Sequence, residues 1–246
     1  MFHEIMETLC NNDYSNGKTL GFCTVGQAEF ESLVQDMHSP LLSLISKVMR
    51  RHQIASQKSE HGDDTTECVL ARMVWRALNV SIAIGGREIK LKDIDATNRR
   101  AEVEFVANRA LMLGDELPPD GDPQRDSAFN GKIDLLIRPE GRGGPVYVLD
   151  WKTNSLPDYG SATLERSMTA AVYHLQYRFY SQAVRCWLRG TELGGVAYLF
   201  VRAGEKSERP DGESGVFVAE PAAIAQETCR MAIKEALEQE DVGYDS

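Results

Sequence analysis

Apolar positions recur along this chain with two periods, one of three to four residues and one of two. The first dominates residues 1–80 and the second takes over from residue 88. Phe2, Ile5, Met6 and Leu9 lie on one face of a short opening helix, residues 1–9. Phe30, Leu33, Val34, Met37, Leu41, Leu44, Ile45 and Val48 form a helical stripe over residues 27–51, interrupted by Ser39-Pro40, so two helices are expected there. The polar segment 53–66 reads as a loop. Leu70, Met73, Val74, Ala77 and Leu78 then mark the buried side of a helix over 67–78.

Residues 88–95 and 99–106 read as strands, with Val103 and Phe105 alternating with Glu102 and Glu104. A loop rich in Pro, Gly and Asp over 114–127 leads to two apolar runs, 132–138 and 146–152, on either side of a glycine-rich turn centred near Arg142. That is the pattern of an antiparallel hairpin. One long helix follows, residues 161–189, closed by Gly190, with Leu164, Met168, Ala171, Val172, Leu175, Phe179 and Ala183 as its core stripe. A strand over 196–202, a loop over 204–215, a short strand over 216–219 and an amphipathic helix over 221–239 complete the chain.

Symmetry of the hairpin about Arg142 pairs Ile133 with Trp151, Leu135 with Leu149 and Ile137 with Tyr147, which makes one face wholly apolar. On the other face Asp134 falls opposite Asp150, with Lys152 two residues further on the same side. Carboxylates about 5 Å apart repel by about 3 kcal/mol at an effective dielectric near 20. A divalent cation with oxygen ligands, such as Mg²⁺, would offset that cost, and the adjacent lysine suits an anionic substrate. The alternative is a bulge that breaks the register and leaves both acids solvated.

Composition is that of an ordinary globular protein, but the charge is not that of a typical nucleic-acid binder: the net charge is −10. The balance is local, because residues 130–206 carry ten basic against seven acidic side chains. Such a chain grips DNA weakly on its own, which points to a partner or a larger polypeptide. No apolar run approaches the length of a membrane span and the N-terminus lacks a signal-peptide pattern, so a cytoplasmic protein with no membrane association is expected. Five scattered cysteines, Cys10, Cys23, Cys68, Cys186 and Cys229, argue against disulfides and zinc. Gly17-Lys18-Thr19 is only the second half of a phosphate-binding loop, with Asn12 where the first glycine belongs, so no ATP site is expected.

Gly131-Lys132-Ile133-Asp134 and Leu149-Asp150-Trp151-Lys152-Thr153-Asn154 resemble the D and (D/E)-x-K elements of the PD-(D/E)XK nuclease superfamily, closest to the RecB-type C-terminal nuclease domain. Tyr173-His174-Leu175-Gln176-Tyr177-Arg178-Phe179-Tyr180 is similar to that family's Q-Y-x-x-Y helix, and residues 194–202 to the strand after it. The resemblance implies one nuclease domain over residues 1–246: a helical N-terminal region to residue 80, a nuclease core over 88–221 and a closing helix to 239. It implies an α/β fold with a restriction-endonuclease-like core, its sheet mixed but mainly antiparallel and flanked by helices.

It further implies Mg²⁺-dependent cleavage of DNA, Mn²⁺ being a possible substitute, with His3, Asp134, Asp150 and the backbone carbonyl of Trp151 as metal ligands. Lys152 would position or help deprotonate the attacking water and offset charge on the phosphate, while Gln176 and Tyr180 would orient the strand or the lysine. Glu104 and Tyr177 are accessory candidates, although an exposed strand face and ordinary core packing explain them as well. Helicase domains or subunits of a RecBCD-like complex are the implied partners. The scattered cysteines exclude the iron–sulfur cluster that some relatives carry. Two rival readings remain: a nuclease fold retained for DNA binding or assembly with a decayed site, and a nucleotide-binding regulator.

Overall fold

The computed structural model describes residues 1–11, 25–34, 39–58, 65–120, 122, 127–188, 190–204 and 214–242. The half phosphate-binding loop, Cys23 and nearly all of the 204–215 loop lie outside the described residues.

Five strands form the central sheet: β3 (Arg99–Asn108), β4 (Ala128–Ile137), β5 (Val146–Lys152), β6 (Leu193–Phe200) and β7 (Val216–Val218), in that spatial order. All neighbours are antiparallel except β5 and β6, which run parallel. A parallel pair requires a crossover, and α6 (Ser161–Ala170) with α7 (Tyr173–Trp187) supplies it. β5 lies at the centre with every residue buried, as its continuous apolar run requires.

Each face of the sheet closes a separate core. On one side α1 (Phe2–Asn11), α2 (Gln27–Val34), α3 (Pro40–Arg51) and α4 (Thr66–Asn79) pack on Leu135, Tyr147, Leu149, Trp151 and Leu199. On the other, α6, α7 and α8 (Gln226–Val242) cover Ile133, Val148, Tyr198 and Phe200. The break expected at Ser39-Pro40 is present, with the Ser39 hydroxyl accepting from the Leu42 N–H to cap α3. A short α5 (Arg109–Leu113) follows β3.

Three local expectations are corrected. Residues 88–95 are not one strand: β2 (Arg87–Ile89) pairs with an unforeseen β1 (Ile82–Ile84) across Gly85-Gly86, and the chain then turns through a 3-10 helix at Leu91–Asp93. Both glycines have positive φ, the conformation a two-residue hairpin requires. The single helix over 161–189 is two, because Val172 adopts φ +56° and ends the first ladder. Ala171 and Val172 are consequently exposed rather than core, while Leu164, Met168 and Ala183 are buried as expected.

The third correction concerns the hairpin. The predicted register holds where the ladder exists, pairing Leu135 with Leu149 and Ile137 with Tyr147. It stops there. Ile133 has turned to the opposite core from Leu135 and Trp151, so the single apolar face is not continuous. Glu102, across from Asp134 in the register of β3 with β4, has φ +54°, and Ala101 and Val103 likewise face opposite cores. Both strands thus turn over at one level.

A β-branched residue in the left-handed region is strained by about 1–2 kcal/mol, and Val172 is 61 % exposed, so its side chain recovers little of this. Val172→Gly is expected to raise the unfolding free energy by about 1 kcal/mol in urea titration, despite the added chain entropy of glycine.

Candidate active site

Where β4 and β5 separate, the next rung of the ladder would join Trp151 to Ile133. The Trp151 N–H instead donates to Asp134 Oδ2 at 2.8 Å. The carboxylate has entered the gap between the strands in place of a backbone acceptor. Asp134 and Asp150 are therefore not the facing pair of a regular ladder, as symmetry suggested, because the strands diverge before the ladder reaches them. In extended chain the N–H and C=O of one residue point to the same edge, so the Trp151 carbonyl opens on the same gap while its indole stays in the core.

His3 reaches this gap from α1. Phe2 packs edge-on against the Trp151 ring with centroids 6.3 Å apart, and the last residue of α1, Asn11, bonds reciprocally to the backbone of Ala101. Helix α1 is thereby fixed on β3, and His3 Nε2 lies 3.1 Å from Asp134 Oδ2. The hydrogen bond to Asp134 raises the His3 pKa above its ordinary value against the opposing effect of burial.

Asp150 and Lys152 point to the other side of β5, toward α7. Lys152 Nζ lies 2.6 Å from Asp150 Oδ2 and donates to Gln176 Oε1 at 2.9 Å. It also sits 3.9 Å from the ring centre of Tyr173 and 4.9 Å from that of Tyr198. The Gln176 amide is held at both ends: Oε1 accepts from the Tyr198 hydroxyl at 3.1 Å, and Nε2 donates to the Tyr180 hydroxyl at 2.8 Å. Tyr180 is placed by packing, its ring edge-on to Phe105, whose own ring occupies the space a side chain on Gly131 would need. That is the physical reason for glycine three residues before Asp134.

Asp150 is 1 % exposed. Burial, then the charge of Asp134, push its pKa up to about 7, against the attraction of Lys152 and His3. Burial also raises the phenols of Tyr180 and Tyr198, so both keep their protons.

The structure thus brings His3, Asp134, Asp150, Trp151, Lys152, Gln176 and Tyr180 together. It leaves out the other two candidates. Glu104 is exposed on β3, and the Tyr177 hydroxyl meets His174 Nδ1 at 3.3 Å instead of the lysine. Three neighbours escape sequence reasoning. Tyr198 stands beside Asp150 in the parallel β5–β6 register, which no local pattern reveals. Tyr173 shares the helical arc of Gln176, but it precedes the Q-Y-x-x-Y motif, which begins at Gln176, so the motif does not mark it. Glu102, not Glu104, is the glutamate at the level of Asp134; it pairs with Lys132 at 2.5 Å and adds to the field on His3.

The residues fit a divalent cation. Asp150 Oδ2 is buried with the Lys152 ammonium, 2.6 Å away, as its partner, and two carboxylates with a nearby carbonyl are the hard donors that Mg²⁺ or Mn²⁺ prefers. Among the described residues no three His, Cys, Asp or Glu side chains form a ready cage. Lys152 and His3 each engage a carboxylate that an ion would also draw on.

A model of the PD-(D/E)XK nuclease superfamily matches residues 1–243, and the chain belongs to that superfamily, whose nucleases use divalent metal ions. Among its relatives is the RecBCD enzyme subunit RecB of Escherichia coli (strain K12), 32 % identical over a 184-residue alignment that covers 64 % of this chain and 15 % of that subunit. The subunit of the same name from Borreliella burgdorferi (strain ATCC 35210 / DSM 4680 / CIP 102532 / B31) is 28 % identical over a 153-residue alignment that covers 55 % of this chain and 12 % of that one. The matched segments are thus a small fraction of those proteins.

Because the folded-state pKa of Asp150 lies above the ordinary 3.8, its contribution to stability is fully present below about pH 4 and is lost as pH rises toward 7. Asp150→Asn removes that loss. In metal-free buffer the stability of the variant relative to the wild type is expected to rise by roughly 2–4 kcal/mol between pH 4 and pH 8, measured by urea unfolding. A pH-independent difference would refute the assigned protonation.

Proposed function

We propose that this chain is a single nuclease domain that hydrolyses DNA phosphodiester bonds with Mg²⁺, and that it serves as the nuclease module of a RecB-like helicase–nuclease. The observation that carries the reading is the placement of Lys152, held between Asp150 and a fully oriented Gln176 amide, beside the gap that Asp134 occupies.

Asp134, Asp150 and the Trp151 carbonyl would hold the ion, with His3 as the fourth protein ligand. When bound, the ion supplies Lewis-acid polarisation of the scissile phosphate and acidifies a coordinated water. Lys152 then orients the attacking water and offsets charge that develops on the phosphate. Gln176 directs the ammonium, with its own orientation set by Tyr180 and Tyr198. Glu102, beside Asp134, adds negative field that favours the ion.

A RecB-like setting supports DNA end processing and recombinational repair in the cytoplasm, with helicase domains or subunits as partners. No helix among the described residues is long and apolar enough to cross a membrane.

Plasmid nicking in the presence of Mg²⁺ tests the reading. Asp150→Ala is expected to abolish cleavage, and Lys152→Ala to slow it by about 10²–10³-fold, both with an unchanged circular-dichroism spectrum. Cleavage that survives Asp150→Ala, or a folded wild type inert with both Mg²⁺ and Mn²⁺, would sink the proposal.

A further inference from the structure

At the far end of the sheet from Lys152, the hairpin turn, the start of β3 and the end of α7 enclose a cavity of about 520 Å³. Its walls carry Arg99, Arg100, Arg138 and Arg142 in a chain whose net charge is −10. The buried Arg99 donates to the Leu91 carbonyl and forms one side of the wall. Arg100 and Arg142 are exposed and Arg138 is half-exposed. Among the described residues none of these three is in an ion pair; the carboxylate of the turn, Glu140, is engaged by Arg87 at 2.8 Å. The rim is Trp187, 55 % exposed on the last turn of α7, with the apolar side chains of Leu136 and Val146 beneath.

Guanidinium groups that match phosphate geometry, an indole face open to solvent and an apolar floor together describe a site for single-stranded nucleic acid. Bases stack on the aromatic ring while arginines follow the backbone. The C-terminal dipole of α7 opposes an anion there, but it is screened and falls off within the last turn, and several arginines outweigh it. The cavity is also in line with the reaction centre. Gln176 and Trp187 are on one helix, eleven residues and so about 16 Å apart.

We propose that this cavity is a second, non-catalytic binding site that anchors a single strand of DNA away from the cleavage centre. Only the identity of the ligand rests on the nuclease reading. An acidic segment of a partner protein would satisfy the arginines but leave the indole without a role.

Binding of oligothymidine to the full chain tests this in EDTA, on the wild type and on Asp150→Ala, so that cleavage plays no role. Affinities of the wild type and of every variant are read from the anisotropy of dye-labelled oligothymidine. In the wild type oligothymidine is also expected to quench the fluorescence of Trp187, the most exposed of the three tryptophans. Trp187→Ala should weaken binding about ten-fold or more, Trp187→Phe should restore most of it, and Arg100→Ala with Arg142→Ala should reduce the salt slope of log K by about 0.7 for each arginine. Affinity and salt slope unchanged in these variants would overturn the proposal, as would a polyglutamate peptide that binds as tightly as oligothymidine. A wild type that binds in this way but fails to cleave with Mg²⁺ refutes the nuclease reading and leaves the anchor standing.

Discussion

One buried ammonium organises this molecule. Lys152 is 8 % exposed, and a charge taken so far from water is tolerated only with partners on several sides. Asp150 supplies the counter-charge once it is ionised, Gln176 a carbonyl dipole, and Tyr173 and Tyr198 their ring faces. These come from two strands and one helix, so the parallel β5–β6 pair and the crossover between them must be complete before the charge is stabilised. Packing and chemistry meet in the same small set of contacts.

The site also draws on both cores. Helix α1, from the layer on one side of the sheet, brings His3 to Asp134; α7, from the layer on the other, brings Gln176 to Lys152. The two halves touch where β4 and β5 diverge. The divergence is itself built, by the inward turn of Asp134 and the positive φ of Glu102 at the same level. Asp134 has two duties in consequence, since it terminates a sheet ladder and presents oxygen to the gap.

Much of this is legible in the chain. The hairpin register follows from the symmetry of two apolar runs about Arg142, because a one-residue slip would expose the whole set. Helix-forming stripes place α1, α3 and α4 to within a few residues, since burial of one face sets their period. What escapes is non-periodic or non-local. Val172 gives no local sign that it will leave the helix. The turnover at Glu102 and Asp134 breaks the alternation that strand reading relies on, which puts Ile133 on the wrong face. Tyr198 requires knowledge that β5 and β6 are neighbours.

The interruption at Val172 divides the crossover into two rods with independent azimuths. In one unbroken helix each residue would be rotated by a fixed angle from the last, so the direction of Gln176 would be dictated by how Leu164 and Met168 seat in the core. With the axis broken between them, the anchoring rod can be remodelled against a different neighbour while the rod that aims the amide keeps its bearing. A single left-handed residue thus acts as a mechanical coupling that separates how the segment is attached from how it points.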